Sequence, residues 1–354
     1  MPVSIVVGGQ FGSEGKGKVA LEIVRRDRTV AAAVRVGGTN SGHTAVSVDG
    51  NTVVLRQLPA ASIDRSIQVV LPPGSYIDLQ ILRYELNLLG LGPDSVAISP
   101  MARIITEEHK GWEQVSGLGP AIGSTQSGTG ASVIATVARG ARSFPDSVQA
   151  EEEPTLQPFL KDTTSFMRRL LKAGRRVVIE GTQGFGLSLL QGGYWPKATS
   201  RDTSAAGFLA EAGLSPRDVD DVTMVIRCHP IRVAGDSGPL TGETTWERIA
   251  MDAGSPIDLR EFTTVTKKVR RVGNFDPDLV RRAILVNQPK RIVLNHLDYV
   301  DARVRDNAEL TTKARHFVKK VEAEIDQEID WLGTGPAAIL SRQDAFAKGR
   351  WTER

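Results

Sequence analysis

Val3-Ser4-Ile5-Val6-Val7-Gly8-Gly9-Gln10-Phe11-Gly12-Ser13-Glu14-Gly15-Lys16-Gly17-Lys18 opens the chain and decides how the rest is read. Val3–Val7 is an apolar run of strand length. Residues 8–18 then hold five glycines and two lysines. Residues 15–26 carry apolar side chains at helical spacing through Val19, Ala20, Ile23 and Val24. Strand, glycine-rich turn and helix together form a phosphate cradle. Glycine lets backbone N–H groups approach phosphate oxygens, the helix N-terminus contributes its dipole, and lysine adds charge. The spacing departs from G-x-x-x-x-G-K-[ST]. Gly9 and Gly15 enclose five residues, and Gly17 stands where a magnesium-binding Ser or Thr is usual.

Outward from this unit, apolar runs alternate with helical patterns. Strands are expected at 29–36, 68–71, 176–179, 222–226 and 291–294. Helices are expected at 76–89, 155–173, 204–213, 277–287 and 308–327. An Asp49-Gly50 pair marks a hairpin within 44–59. This alternation predicts an α/β protein with a mostly parallel central β-sheet flanked by helices. No repeat or Pro/Ser linker divides the chain, so 1–354 is expected to be a single domain with loop and helical embellishments. Glu151–Glu153 reads as a solvated helix entry.

The 44 basic and 41 acidic residues give a net charge of +3, with no basic block, which counts against nucleic acid as a partner. Cys228 is the only cysteine, so no internal disulfide forms; it reads as a small buried residue beside a strand. The N-terminus has no signal-peptide pattern and no apolar run approaches 18 residues. A cytoplasmic protein without a membrane partner is the expectation.

The Gly8–Lys18 string resembles the signature of adenylosuccinate synthetase, which usually reads Gly-[Thr/Gly]-Gln-Trp-Gly-Asp-Glu-Gly-Lys-Gly-Lys. Further matches follow in order over almost the whole chain, and the resemblance implies that family's P-loop-like fold. It also implies a magnesium-dependent C–N ligase acting on small molecules, and a homodimer. In the cradle, Gly12, Glu14, Gly15, Gly17 and Lys18 would bind nucleotide, and Lys16 would be catalytic. In Gly37-Gly38-Thr39-Asn40-Ser41-Gly42-His43-Thr44, the resemblance makes His43 the acid that acts on the purine C6 oxygen. The Gly42 carbonyl becomes a magnesium ligand and Asn40 a nucleotide contact.

Ser124 and Thr125, in Ile122–Gly130, resemble the loop holding the acceptor 5′-phosphate. Arg139 or Arg142 resembles the arginine that reaches the neighbouring subunit's nucleotide. Gln183, in Glu180-Gly181-Thr182-Gln183-Gly184, matches a catalytic glutamine at the C6 region. Thr199 matches a phosphate contact, and Val233 and Ala234 match a segment beside the acceptor sugar. Anchored on Gly273, Thr266, Lys268 and Arg270 take the positions that capture L-aspartate, with Lys268 in place of an arginine. Asp298 matches the aspartate that reads the donor base, bordered by Gly333 and Gly335. His296 stands where the family has lysine, so GTP, ATP and dATP all stay open as donor.

Ser13 is the largest departure. The family places an aspartate there, which takes the purine N1 proton and binds magnesium; here Ser13 occupies both the catalytic and the metal position. Serine cannot act as a carboxylate base, but its small neutral side chain leaves space beside C2, where guanine carries an amino group. This serine resembles the compact viral branch of the family, which joins L-aspartate to dGMP to give N6-succino-2-amino-2′-deoxyadenylate for 2-aminoadenine DNA. For a viral protein, the compartment is the host cytoplasm. Two other readings stand beside it: an ordinary synthetase using IMP and GTP, and a non-catalytic nucleotide-binding regulator. Of the 35 glycines, 18 fall in 8–17, 37–42, 117–130 and 181–193. Four close-approach loops are thus expected around the nucleotides.

Overall fold

The computed structural model describes residues 2–64, 66–263, 267–307 and 309–346. Nine strands form one sheet: β1 (Val3–Gly8), β2 (Val30–Arg35), β3 (Gln68–Leu71), β4 (Val96–Ile98), β5 (Arg176–Glu180), β6 (Val219–Arg227), β7 (Arg291–Asn295), β8 (Trp331–Gly333) and β9 (Ile339–Ser341). Their order is β9-β8-β7-β6-β1-β5-β2-β3-β4. All pairings are parallel except β8 with β9. Both sheet faces are covered, as parallel sheets require. Val3, Ile5 and Val7 of β1 pack on one face and Val6 on the other, each within a buried cluster.

The six strands foreseen in the sequence lie within a few residues of their expected bounds, and the hairpin forms from His43–Val46 and Thr52–Leu55. Strands β4, β8 and β9 have three residues each, too few to show a period. The helix expected over 155–173 divides into a 3-10 turn, Pro154–Phe159, and an α-helix, Thr163–Lys172. Pro158 has no N–H to continue the first segment, and Asp162 caps the second by accepting from the Ser165 N–H at 3.0 Å. The helix expected from 76 starts at Leu79, because the Asp78 carboxylate accepts from the N–H groups of Gln80 and Ile81. Helices Glu107–Val115, Thr129–Ala138 and Trp246–Ala253 were not foreseen. Cys228 is buried beside β7 and its thiol donates to the Asn295 carbonyl at 3.3 Å.

Register places polar and charged residues side by side where the strands end. Glu180 is the direct partner of Arg35 across β5 and β2, and Arg227 of Asn295 across β6 and β7. In parallel α/β sheets the loops beyond the carboxyl ends of the strands form the ligand crevice. Here those loops begin at Gly9, Val36, Gly181, Cys228, His296 and Thr334.

Candidate active site

Glu14 organises the first loop from within. It is fully buried, and its Oε1 accepts from the N–H groups of Gly12 at 2.8 Å and Gln10 at 3.2 Å. Its Oε2 accepts from Lys16 Nζ at 2.7 Å. A Cβ on Gly8 or Gly184 would come within 2.6 and 2.4 Å of that carboxylate, so both glycines are needed for the loop to close over it. Glu14 therefore faces inward, and Lys16 and Glu14 neutralise each other beneath the loop. Breaking such a buried pair costs about 3–5 kcal/mol. The α-helix Lys16–Arg26 (α1) starts from Gly15 at φ +92° with no side chain capping its first turn. Its free N–H groups and dipole form the cradle.

The first loop is tied to β6 and β7. Gln10 donates to the Arg227 carbonyl at 3.1 Å and accepts from the Arg227 N–H at 2.9 Å. Asn295 donates to the Glu14 carbonyl at 2.7 Å. Lys18 reaches across to the segment that follows β8, donating to the carbonyls of Gly335 at 2.9 Å and Ala338 at 3.4 Å. Burial lowers its ammonium to about 8 against the pull of Asp298 and Asp306. Asp298 is buried and pairs with Arg305 at 2.9 Å, while its Oδ1 has no partner. Burial raises this carboxyl to about 6, with Arg305 and Lys18 opposing. A Cβ on Gly333 would lie 2.7 Å from Lys18 Nζ. Thus Lys18, Asp298, Gly333 and Gly335 gather beyond β7 and β8.

On the other side of the cradle, His43 packs on α1. A Cβ on Gly17 would meet the His43 Cβ at 2.7 Å. Glu180 Oε1 accepts from His43 Nδ1 at 2.6 Å and from Arg35 Nη1 at 2.5 Å, and Oε2 accepts from the Ala60 N–H at 2.8 Å. Burial and then Arg35 hold the imidazole down to about 4, with Glu180 acting in the opposite sense. Before it, Thr39 Oγ1, Asn40 Oδ1 and Ser41 Oγ are buried without partners. Such a run of unpaired oxygens awaits donors or a hard cation.

Glycine contacts bring the remaining segments in. A Cβ on Gly38 would touch Thr129 at 2.5 Å, and one on Gly37 would meet the Thr182 hydroxyl at 2.8 Å and clash with Arg201. The loop containing Asn40 and Gly42 therefore packs against the 124–129 loop and the turn bearing Gln183, which adopts φ +62°. Ser124 Oγ accepts from the Gln126 N–H at 3.2 Å, and Thr125 donates to Ser127 Oγ at 3.3 Å. A Cβ on Gly123 would contact Val233 at 3.1 Å, which sets Val233-Ala234 beside this loop. Thr199 is held by its N–H to the Leu187 carbonyl at 2.8 Å. Arg139 and Arg142 lie apart from this convergence, exposed at and beyond the C-terminus of helix Thr129–Ala138. Thr266 lies outside the described residues.

Ser13, exposed at φ +56°, accepts from Arg270 Nη1 through its hydroxyl and from Arg227 Nη1 through its carbonyl at 3.0 Å. Lys268 is exposed and donates its backbone N–H to Thr263 Oγ1 at 3.0 Å. Sequence reasoning missed Arg35, Glu180, Arg201, Arg227 and Glu261. Three of these end β2, β5 and β6. A charged residue closing a buried apolar strand was the available signal, because such a charge must meet a partner at the sheet edge.

The family model for adenylosuccinate synthetase matches residues 5–153 and 146–303. The adenylosuccinate synthetase of Pyrococcus horikoshii is 34% identical over 354 residues, covering 98% of this chain and 100% of its own. That of Methanococcus aeolicus is 34% identical over 342 residues, covering 95% and 97%. Among solved structures, the succinoaminodeoxyadenylate synthetase of cyanophage S-2L, bound to dGMP and to dATP as an energy donor, has a TM-score of 0.79. It is 27% identical and covers 95% of this chain and 93% of its own. The fully ligated adenylosuccinate synthetase of Plasmodium falciparum shares the fold, with a TM-score of 0.83 at 20% identity over 97% of this chain.

Proposed function

The chain belongs to the adenylosuccinate synthetase family, and we propose that it joins L-aspartate to C6 of dGMP with consumption of a nucleoside triphosphate. A C–N ligase acting on a purine nucleotide is what membership implies. Its acceptor is inferred from Ser13. Among the described residues the carboxylate tied to it through Arg227 and Arg270 is Glu261, which is raised by burial but lowered further by Arg227, to about 2. So weak a base does not take the N1 proton of hypoxanthine. A short uncharged side chain at this position suits a guanine, whose C2 amino group can donate to the hydroxyl and would be crowded by a longer carboxylate side chain. The cyanophage enzyme solved with dGMP supports this reading.

In the first step, O6 of dGMP attacks the γ-phosphorus and the bond to the donor's β-phosphate oxygen breaks, releasing the nucleoside diphosphate while the N1 proton passes to water. His43, oriented by Glu180, faces the developing charge at O6 together with Gln183 and the N–H groups at the start of α1. In the second step, the amine of L-aspartate, held by Lys268 and Arg270, displaces phosphate from C6. Magnesium, used generally in this family, would neutralise phosphate charge. The Gly42 carbonyl would be this chain's oxygen for it, and the unpaired oxygens at 39–41 suit a hard cation, whereas the Ser13 hydroxyl, at the family's metal position, is engaged by Arg270 and would have to leave it to serve as a ligand. The acceptor 5′-phosphate would rest on Ser124, Thr125 and Thr199, and the sugar on Val233 and Ala234. Either Arg139 or Arg142 would serve the other subunit of a homodimer.

The second reading is IMP as acceptor, which the 34% identity to archaeal adenylosuccinate synthetases favours. A substrate matrix separates the two. The enzyme is incubated with dGMP, GMP or IMP, L-aspartate, magnesium, and ATP, dATP or GTP, and the succinyl adduct is detected by mass. Adduct from dGMP is expected; adduct from IMP alone rejects the proposal. Hydrolysis without any adduct would point to the regulator.

A further inference from the structure

Four side chains close a ring at Ser13. Arg227 holds the Ser13 carbonyl at 3.0 Å, and its two terminal nitrogens donate to the two oxygens of Glu261, Nη1 to Oε2 at 3.2 Å. Arg270 Nη1 lies 3.5 Å from the same Oε2 and donates to the Ser13 hydroxyl. One residue is thus gripped at its carbonyl by one arginine and at its side chain by another. A single carboxylate holds both arginines.

The ring has a physical logic. Arg227 is fully buried and needs a counter-ion, while Arg270 is half-buried beside it. Two guanidinium groups at this distance repel unless a carboxylate stands between them. Glu261 does so, and it stays ionised through the whole working range. With a neutral residue at position 13, the ring carries two positive charges against one negative. It therefore keeps a net positive charge for an anionic substrate. Among the described residues the Nε atoms of both arginines are buried and find no partner, which leaves donors unspent. A carboxylate at position 13 would cancel that charge and draw Arg270 into an ion pair. Ser13 also sits at φ +56°, a strained conformation for a non-glycine residue, and its carbonyl is held there by Arg227.

We propose that Glu261 is a positioning residue that couples the two ends of the reaction. By holding Arg227 and Arg270 together it fixes the Ser13 hydroxyl for acceptor selection and keeps Arg270 aimed and undercompensated for L-aspartate. The roles of Ser13 and Arg270 rest on the function proposed above; the coupling between them rests on the ring.

The test uses the full chain with Glu261→Gln, Glu261→Asp, Ser13→Ala and the Glu261→Gln/Ser13→Ala double variant. Steady-state constants are measured for dGMP, IMP, L-aspartate and the donor triphosphate. Glu261→Gln is expected to raise the KM for L-aspartate about tenfold and to lower the dGMP-to-IMP ratio of kcat/KM about tenfold, with donor KM within about twofold. Glu261→Asp restores part of both. In the double variant the two losses combine to less than their product, because both break one ring. A uniform fall in kcat with KM and acceptor ratio unchanged overturns the proposal, as do strictly multiplicative losses. Where Glu261→Gln fails to fold, Ser13→Ala alone decides. A severalfold rise in KM for L-aspartate supports the ring and an unchanged KM rejects it. Wild-type enzyme that makes product from IMP only defeats the dGMP reading, yet leaves the coupling readable on the L-aspartate KM with IMP as acceptor.

Discussion

Glu180 Oε1 lies 2.6 Å from His43 Nδ1 while pairing with Arg35, its register neighbour in the sheet. Arg35 Nη1 lies 2.5 Å from the same ring nitrogen, so Glu180 and Arg35 together engage Nδ1 and leave Nε2 as the ring nitrogen turned away from the pair. Glu180→Gln keeps the shape but removes the charge, so the imidazole and Arg35 lose their shared counter-ion. We expect kcat to fall about 10²-fold, within the usual reach of general acid–base catalysis, with substrate KM values changed less than about threefold. Steady-state kinetics alongside a thermal melt would check this. An equal rise in every KM would instead mean that the site has collapsed.

The same histidine is expected to take up a proton when nucleotides bind. Its free-enzyme value of about 4, below the usual imidazole range, leaves it neutral at pH 7. Phosphates arriving nearby favour the charged form and raise the value. Binding of donor and acceptor should thus absorb a fraction of a proton near pH 6.5, and kcat should decline as pH rises through the value in the complex. Calorimetry in two buffers of different ionisation enthalpy measures the uptake. His43→Gln should abolish it.

How far the sequence alone reaches is clear from these residues. His43 was legible because it stands in a glycine-rich loop whose order matches a known signature. Glu180 was printed in the very stretch that named Gln183, yet its role depends on lying across the sheet from Arg35, 145 positions away. Pairings of that kind are set by strand order, which no local pattern carries. The long apolar strands and amphipathic helices were readable from period. The three-residue strands β4, β8 and β9 and the helix Thr129–Ala138 were not. That helix is capped from a distance, with the Glu113 carboxylate accepting from the N–H groups of Gly128 and Ala131 at 2.9 and 3.0 Å.

Lys18 carries a pH dependence of the same origin at higher pH. Burial brings its ammonium to about 8 in the free enzyme, and a bound triphosphate would favour the charged form. Raising pH through 8 removes the charge from free enzyme first, so donor affinity should weaken towards tenfold per pH unit up to the value in the complex. The KM for ATP, dATP or GTP, whichever is used, should therefore rise between pH 7.5 and 9.5, while that for L-aspartate stays level. Lys18→Met should give a flat profile at the weak, high-pH affinity. A wild-type profile already flat over this range would remove Lys18 from donor binding.

Lys268 tests the aspartate assignment most directly. The residue is exposed, and the family's arginine would present a planar fork to a carboxylate where lysine presents a single point charge. Lys268→Ala should raise the KM for L-aspartate about tenfold, the loss of one charge-assisted hydrogen bond, and leave the KM for the purine nucleotide within about twofold. Lys268→Arg should lower the L-aspartate KM below wild type if the backbone around residue 268 lets the fork face the carboxylate, and its hydrogen bond to Thr263 holds that backbone in place. Equal effects of Lys268→Ala on both substrates would mean that the cationic segment serves phosphate instead. In that case the burden of capturing L-aspartate would fall on Arg270 and the ring that holds it.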